Sequence, residues 1–227
     1  MNPDLSLALE GSTYAGSAAI IRDGSVIAEM TLDNAPKPGR TGREEGFLPM
    51  VDRCLSKAGI DVGSLSRVVC GEGPGSFTSL RVAASIGKGI AVGAGIPMFA
   101  VSSLKLIVAG AQTSPGTWLA ALPAMRGEVF VAPFEVLEDG TINQTAAASL
   151  VLESSLGEES VKWGGPAIGP GVGSEWAPHA RGVARVMKDV LAGGPCDIDT
   201  WEPTYGRFAE AQVRWEASHG RPLTATG

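Results

Sequence analysis

Apolar residues open the chain in short blocks. Leu5 to Leu9, Ser17 to Ile21 and Val26 to Met30 read as strands, with turns at Gly11 to Gly16 and at Asp23-Gly24. A Pro- and Gly-rich stretch, Asn34 to Gly42, then reads as an exposed loop. From about Glu44 to Lys57 the apolar period lengthens: Phe47, Val51, Cys54 and Leu55, with Leu48 and Ala58, form a helical stripe that Gly59 stops. The β-branched run Arg67 to Cys70 predicts a buried strand, and Gly71, Gly73, Pro74 and Gly75 force a turn after it. Ser76 follows as an N-cap whose hydroxyl is expected to accept a backbone N–H. Leu80, Ala83, Ala84, Gly87, Ile90 and Ala91 then recur at helical spacing. Gly87, Gly89 and Gly93 each cost that helix about 1 kcal/mol against Ala, a penalty tolerated where another backbone must come close. Gly95-Ile96-Pro97 ends the helix, and Met98 to Val101 starts a new strand.

The second half repeats the α/β alternation. Leu104 to Ala111 is helical, Trp118 to Leu122 and Glu128 to Phe134 are strand-like, and Glu135 to Gly140 reads as a turn. Gly164 to Gly173 carries glycines that suggest a phosphate loop, but it lacks the Lys and Ser/Thr of a P-loop and reads as a connecting loop. Ala180 to Leu191 predicts an amphipathic helix ended by Gly193-Gly194-Pro195, and Phe208 to Ser218 a final helix.

The segment GEGPGSFTSLRVAASIGKGIAVGAGIP, followed by AVSSL, resembles the signature of the bacterial TsaB family, formerly YeaZ. Arg126-Gly127-Glu128-Val129-Phe130 is similar to that family's Arg-Gly-Glu-Val-Tyr, and Pro203-Thr204-Tyr205-Gly206-Arg207 to its Pro-x-Tyr-x-Arg. The resemblance implies an α/β fold of the actin, sugar-kinase and Hsp70 superfamily, with two actin-like (ribonuclease H-like) lobes of mixed sheets flanked by helices. Residues 1–103 are expected to form the first lobe, 104–202 a smaller second α/β lobe, and 203–227 a C-terminal helix and tail packing back on the first. It also implies a non-catalytic subunit that assists TsaD, together with the ATPase TsaE, in making threonylcarbamoyladenosine beside the anticodon of tRNAs reading ANN codons. Family members pair with TsaD through two helices, and with themselves when TsaD is absent. On this chain that face corresponds to Phe47, Met50, Val51 and Cys54 on the first helix and Leu80, Ala83, Ala84 and Gly87 on the second. Burial against the chain's own sheet would also explain the first stripe, but the resemblance favours the docking face. Gly73, Pro74, Gly75 and Ser76 form the signature loop. One departure is Arg43-Glu44-Glu45, where the family often has a His.

In the superfamily's ATP-using members the first turn approaches the phosphates, and an acidic residue ending the first strand helps to hold a metal. Here Glu10-Gly11-Ser12-Thr13 stands where TsaB proteins more commonly show Asp-Thr-Ser, so Glu10, Ser12 and Thr13 are the degenerate nucleotide-loop candidates. A hairpin turn alone explains them. The alternative class is an autonomous ATP-binding or hydrolytic, glycoprotease-like enzyme on the same fold. Against it stand His179 and His219, far apart and in no HExxH or His-x-x-x-His pair. Ser76 lacks the trailing Gly of G-x-S-x-G, and Arg126 and Glu128 at a hairpin entry read as an ion pair rather than as catalytic groups. No cofactor and no metal are expected.

With 227 residues, 44% of them hydrophobic, the chain can bury one substantial core or two small ones. Pro97, Ser102, Ser103 and Lys105 interrupt the longest apolar region, and Asp4 with no basic n-region argues against a secretory signal, so a cytoplasmic location is expected. Cys54, Cys70 and Cys196 are odd in number and outside any CxxC pair, which fits reduced thiols. Eighteen Lys and Arg against 24 Asp and Glu give a net charge of −6, which disfavours tight tRNA binding by this chain alone. Contact with tRNA is therefore expected only through the complex. Arg181, Arg185 and Lys188 recur at helical spacing, either as a local basic patch or, the preferred reading, as a solvated face.

Overall fold

The computed structural model describes residues 4–32 and 46–206. The loop Asn34 to Gly42, Arg43-Glu44-Glu45, Arg207 and the expected helix Phe208 to Ser218 lie outside the described residues. Strands β1 (Leu5–Glu10), β2 (Ser17–Arg22), β3 (Ser25–Thr31), β4 (Arg67–Gly71) and β5 (Met98–Val101) form one sheet in the order β3-β2-β1-β4-β5. The first three make an antiparallel meander, and β4 and β5 add parallel to β1. Every residue of β1 is buried. That is why LSLALE shows no clean alternation: a strand covered on both faces has no solvent side to mark with polar residues.

Helix α1 (Phe47–Ala58) covers β2 and β3, and α2 (Phe77–Ala94) covers β4 and β1. Gly59 and Gly95, both left-handed, receive the ends of these helices and satisfy their last carbonyls. Leu7, Leu9, Ile20, Phe47, Met50, Val68 and Met98 make the core between helices and sheet. On the other face lies α3 (Ser103–Gly110), in which Leu104, Leu106, Ile107 and Val108 are all fully buried. A helix apolar on every side belongs between two layers. The second layer is a mixed sheet of β6 (Gly116–Pro123), β7 (Glu128–Val136), β8 (Ile142–Gln144), β9 (Ser149–Leu152), β10 (Ala167–Gly169) and β11 (Val172–Gly173). Helix α4 (Leu156–Trp163) packs on its outer face, and α5 (Val183–Ala192) joins α3 in the shared middle layer. This is the two-lobed α/β architecture expected from the sequence.

Two sequence expectations need correction. Gly164 to Gly173 is not simply a loop, because Ala167–Gly169 pairs parallel to β6 and antiparallel to Val172–Gly173. Its glycines serve close backbone packing: a Cβ at Gly165 would lie 2.6 Å from the Thr117 carbonyl carbon. Ser76 does stand at the N-cap of α2, but its hydroxyl takes no backbone N–H and meets the Ser79 hydroxyl at 3.1 Å instead. Among the described residues no helix is long and apolar enough to cross a membrane.

Candidate functional site

Three segments distant in sequence meet at the start of α2. The turn after β4 brings Gly73, Pro74 and Gly75 to the end of β1, where the Ser76 N–H donates to the Ser12 carbonyl at 2.7 Å. The C-terminal segment crosses the same loop, with the Thr204 N–H donating to the Glu72 carbonyl at 2.7 Å. Gly206 sits between Pro74 and the ring of Phe130, which comes from β7 of the other sheet. A Cβ there would lie 2.5 Å from the ring, and the backbone φ of +71° independently favours glycine. Tyr205 packs its ring 4.4 Å from Phe77, and its hydroxyl accepts from Arg81 Nε at 3.0 Å. The Arg81 guanidinium also lies 4.2 Å over the Phe77 ring. Gly-Pro-Gly-Ser-Phe, the Phe of Arg-Gly-Glu-Val-Phe and Pro-Thr-Tyr-Gly therefore form one packed junction.

Glu10 lies beneath that junction and is 1% exposed. Its carboxyl accepts the Ser12 N–H at 2.5 Å and the Ser103 hydroxyl at 2.9 Å, and Ser103 Oγ in turn accepts the Gly73 N–H at 3.1 Å. The Ser12 hydroxyl lies beside the same carboxyl but outside hydrogen-bonding geometry. Thr13 Oγ1 turns back to the Ala15 N–H at 3.2 Å, as in an ordinary polar turn. Gly71 leaves room for the carboxyl: a Cβ there would stand 2.9 Å from Glu10 Cδ. Burial raises the Glu10 pKa above the usual carboxylate value, against the lowering effect of these hydrogen bonds. The Glu10 carboxyl is thus turned into the chain's own loops.

A raised acid pKa fixes the sign of a pH dependence. The folded state holds the Glu10 proton more tightly than the unfolded chain, so the wild type loses stability as pH rises from the ordinary glutamate value through the raised one. Glu10→Gln keeps the shape without that ionisation. The midpoint of thermal unfolding of Glu10→Gln relative to wild type is expected to climb across this interval and to level off above it. A flat difference between pH 4 and pH 8 would contradict the assignment.

The other sequence candidates have local roles. His179 caps the 3-10 turn Ala180–Gly182 by accepting the Arg181 N–H at Nδ1, with Nε2 3.2 Å from Thr31 Oγ1; burial lowers its pKa. Among the described residues no group of His, Cys, Asp or Glu could hold a metal ion. Cys54, Cys70 and Cys196 are free thiols, and burial pushes all three pKa values up. Arg126 and Gly127 both take positive φ, +68° and +72°, at the tight β6–β7 hairpin.

Phe47, Met50, Val51, Cys54, Leu80, Ala83, Ala84 and Gly87 all face the chain's own core. Buried in the chain's own core, these residues are not available to a partner on the intact fold, and the two helices turn their other faces to solvent. On α1 the outward face carries Leu48, Asp52, Arg53 and Ser56; on α2 it carries Arg81, Ser85, Gly89, Val92 and Gly93. Val92 is 66% exposed and Leu48 57%, and nothing lies within 4 Å of where a Cβ would stand at Gly89 or Gly93. Sequence reasoning missed Ser103, which joins Glu10 to the signature loop, and the Phe77-Arg81-Tyr205 stack. Ser103 was visible only as part of AVSSL, and no local pattern linked it to a residue 93 positions earlier.

Comparison with known proteins places this geometry. A family model described as TsaD, tRNA N6-adenosine threonylcarbamoyltransferase, matches residues 28–156. The chain is 30% identical to the Escherichia coli tRNA threonylcarbamoyladenosine biosynthesis protein TsaB, over 96% of this chain and 92% of that one. It is 25% identical to the Bacillus subtilis protein of the same name, over 92% and 96%. A crystal structure of a Pseudomonas aeruginosa protein with similarity to peptidase YEAZ superposes with a TM-score of 0.72 at 23% identity, covering 90% of this chain and all of that one.

Proposed function

Because this chain belongs to the TsaB family of tRNA threonylcarbamoyladenosine biosynthesis proteins, we propose that it is the non-catalytic partner of a TsaD-type transferase. In that role it supports transfer of a threonylcarbamoyl group to the adenosine beside the anticodon, with a TsaE-like ATPase as third subunit, in the cytoplasm. Residues 1–103 carry the docking helices, 104–202 form the second lobe, and Pro203 to Gly206 pack back on the first at the start of α2. The observation that carries the non-catalytic reading is the seating of Glu10. Its carboxyl is bonded to Ser12 and Ser103, and the β1–β2 turn is pressed against Gly75, where ATP-using relatives of this fold receive phosphates. Support for docking comes from α2, whose outward stripe of Ser85, Gly89 and Gly93 lets a second helix approach to about 8 Å, the short end of interhelical distances. The same stripe serves homodimers when the transferase is absent.

Co-expression with the TsaD-type protein of the same organism tests this reading. Size-exclusion chromatography with light scattering is expected to show a one-to-one complex. Threonylcarbamoyladenosine should form on tRNA supplied with threonylcarbamoyl-adenylate only when both proteins are present. A transferase equally active without this chain, and no complex, would overturn the proposal.

A further inference from the structure

Beside β3, the C-terminal end of α3 and the start of α5 line an open cleft of about 330 Å³. Arg181 and Arg185 line it together with Gly110, Gln112, Thr113 and Ala184, and no carboxylate is in the lining. Arg181 is tied down: its Nε donates to the Gly110 carbonyl at 3.2 Å, and Nη1 lies 3.5 Å from Glu29. Arg185 differs. It is half-buried, its terminal nitrogens donate to neutral acceptors on Thr113, the carbonyl at 3.0 Å and Oγ1 at 3.4 Å, and it forms no ion pair among the described residues. Those bonds engage one hydrogen on each terminal nitrogen, leaving Nε and the second hydrogen on each.

A half-buried cation without a counter-charge bears a desolvation cost that neutral acceptors do not offset. Setting a second guanidinium four residues earlier against the same pocket adds like-charge repulsion. Both are relieved by an anion. The planar forks of two arginines suit the tetrahedral oxygens of phosphate, and the volume admits a phosphate with part of its ester group. We propose that this pocket binds a phosphate group, with Arg185 as its principal ligand. The site is independent of the partner helices and of whether the chain assists a transferase.

The test is a thermal-shift titration of the full chain with inorganic phosphate, against chloride at equal ionic strength. The unfolding midpoint is expected to rise with phosphate in the wild type and in Arg126→Gln, whose arginine lies outside the pocket. In Arg185→Gln the apparent phosphate affinity should fall at least tenfold. Because Arg185→Gln also loosens Thr113, Ala184→Leu provides a second arm: it fills the pocket while keeping both arginines, and should equally abolish the phosphate response. Anisotropy with a labelled RNA hairpin separates the two sources of phosphate. If Arg185→Gln weakens RNA binding and lowers the salt slope by about 1, the ligand is backbone phosphate. If phosphate and AMP bind through Arg185 while RNA affinity is the same in wild type and variant, the ligand is a free or nucleotide phosphate. No phosphate-specific shift in the wild type, or an undiminished one in both pocket variants, would overturn the proposal.

Discussion

Gly89→Trp is expected to weaken the complex with the TsaD-type partner by at least about 100-fold while leaving the chain folded. Gly89 is exposed in the middle of α2, and nothing stands within 4 Å of its Cβ position, so an indole there meets only solvent in the free protein. Helices packed on small residues approach to about 8–10 Å between axes. A Trp projecting from the centre of the stripe holds them apart, and the surrounding Ser85, Val92 and Gly93 then lose contact together. At concentrations too low for the homodimer, the isolated variant should unfold at the wild-type temperature or slightly above it, since replacing glycine by Trp in an exposed helix interior gains about 0.5 kcal/mol. Light scattering on the co-expressed pair and the threonylcarbamoyladenosine assay give the readout. Val161→Trp, on α4 of the far layer and 83% exposed, serves as the control that should leave the complex intact. Undiminished binding by Gly89→Trp would remove α2 from the interface.

Why the outward stripe had to come from the structure follows from the composition of α2. Apart from Arg81, its outward residues Ser85, Gly89, Val92 and Gly93 are as small or as weakly polar as its inward Ala83, Ala84 and Gly87, so periodicity locates the helix but assigns its faces poorly. On α1 the contrast is stronger: Phe47, Met50, Val51, Cys54 and Leu55 are buried and Asp52, Arg53, Ser56 and Lys57 exposed. There the stripe fits either the chain's own core or a docking face when read from sequence, and the structure puts it in the core. Strands β1 to β5 were legible because each is a block of β-branched or apolar residues bounded by turn formers. The short strands β8 to β11 were not, since two to four residues hold too little periodicity to stand out, and neither was the eight-residue helix α4.

The junction at Glu10 shows a different limit. Its parts are local motifs, but its bonds run between Glu10 and Ser103, Thr204 and Glu72, and Arg81 and Tyr205, at separations that no window of sequence spans. What the sequence did show was a Gly-Pro-Gly loop between a strand and a helix. The structure adds a reason for its last glycine, which is close contact with the backbone of Ser12.

That contact sets the second large effect. Gly75→Val is expected to destabilise the chain by about 3 kcal/mol or more. A Cβ at Gly75 would lie 2.5 Å from Ser12 Cβ and 2.8 Å from Ser12 Cα, and closer still to the Ser12 carbonyl oxygen. Backbone atoms cannot swing aside as a side-chain tip does, so relief requires moving the β1–β2 turn or the Gly-Pro-Gly loop. Either movement breaks the Ser76 to Ser12 hydrogen bond and disturbs the bonds that Ser12 and Ser103 make to the buried Glu10 carboxyl. For a chain of this size the unfolding midpoint should drop by roughly 6–12 °C. Complex formation should fall as well, but only in step with the loss of folded protein, and cooling or lowering denaturant should restore it. Gly89→Trp, by contrast, should fail to bind at every temperature at which it is folded. A Gly75→Val chain of wild-type stability would mean that the turn is free to move away from the loop. The first turn would then be open to a ligand, and the reading of Glu10 as a closed structural carboxyl would fall with it.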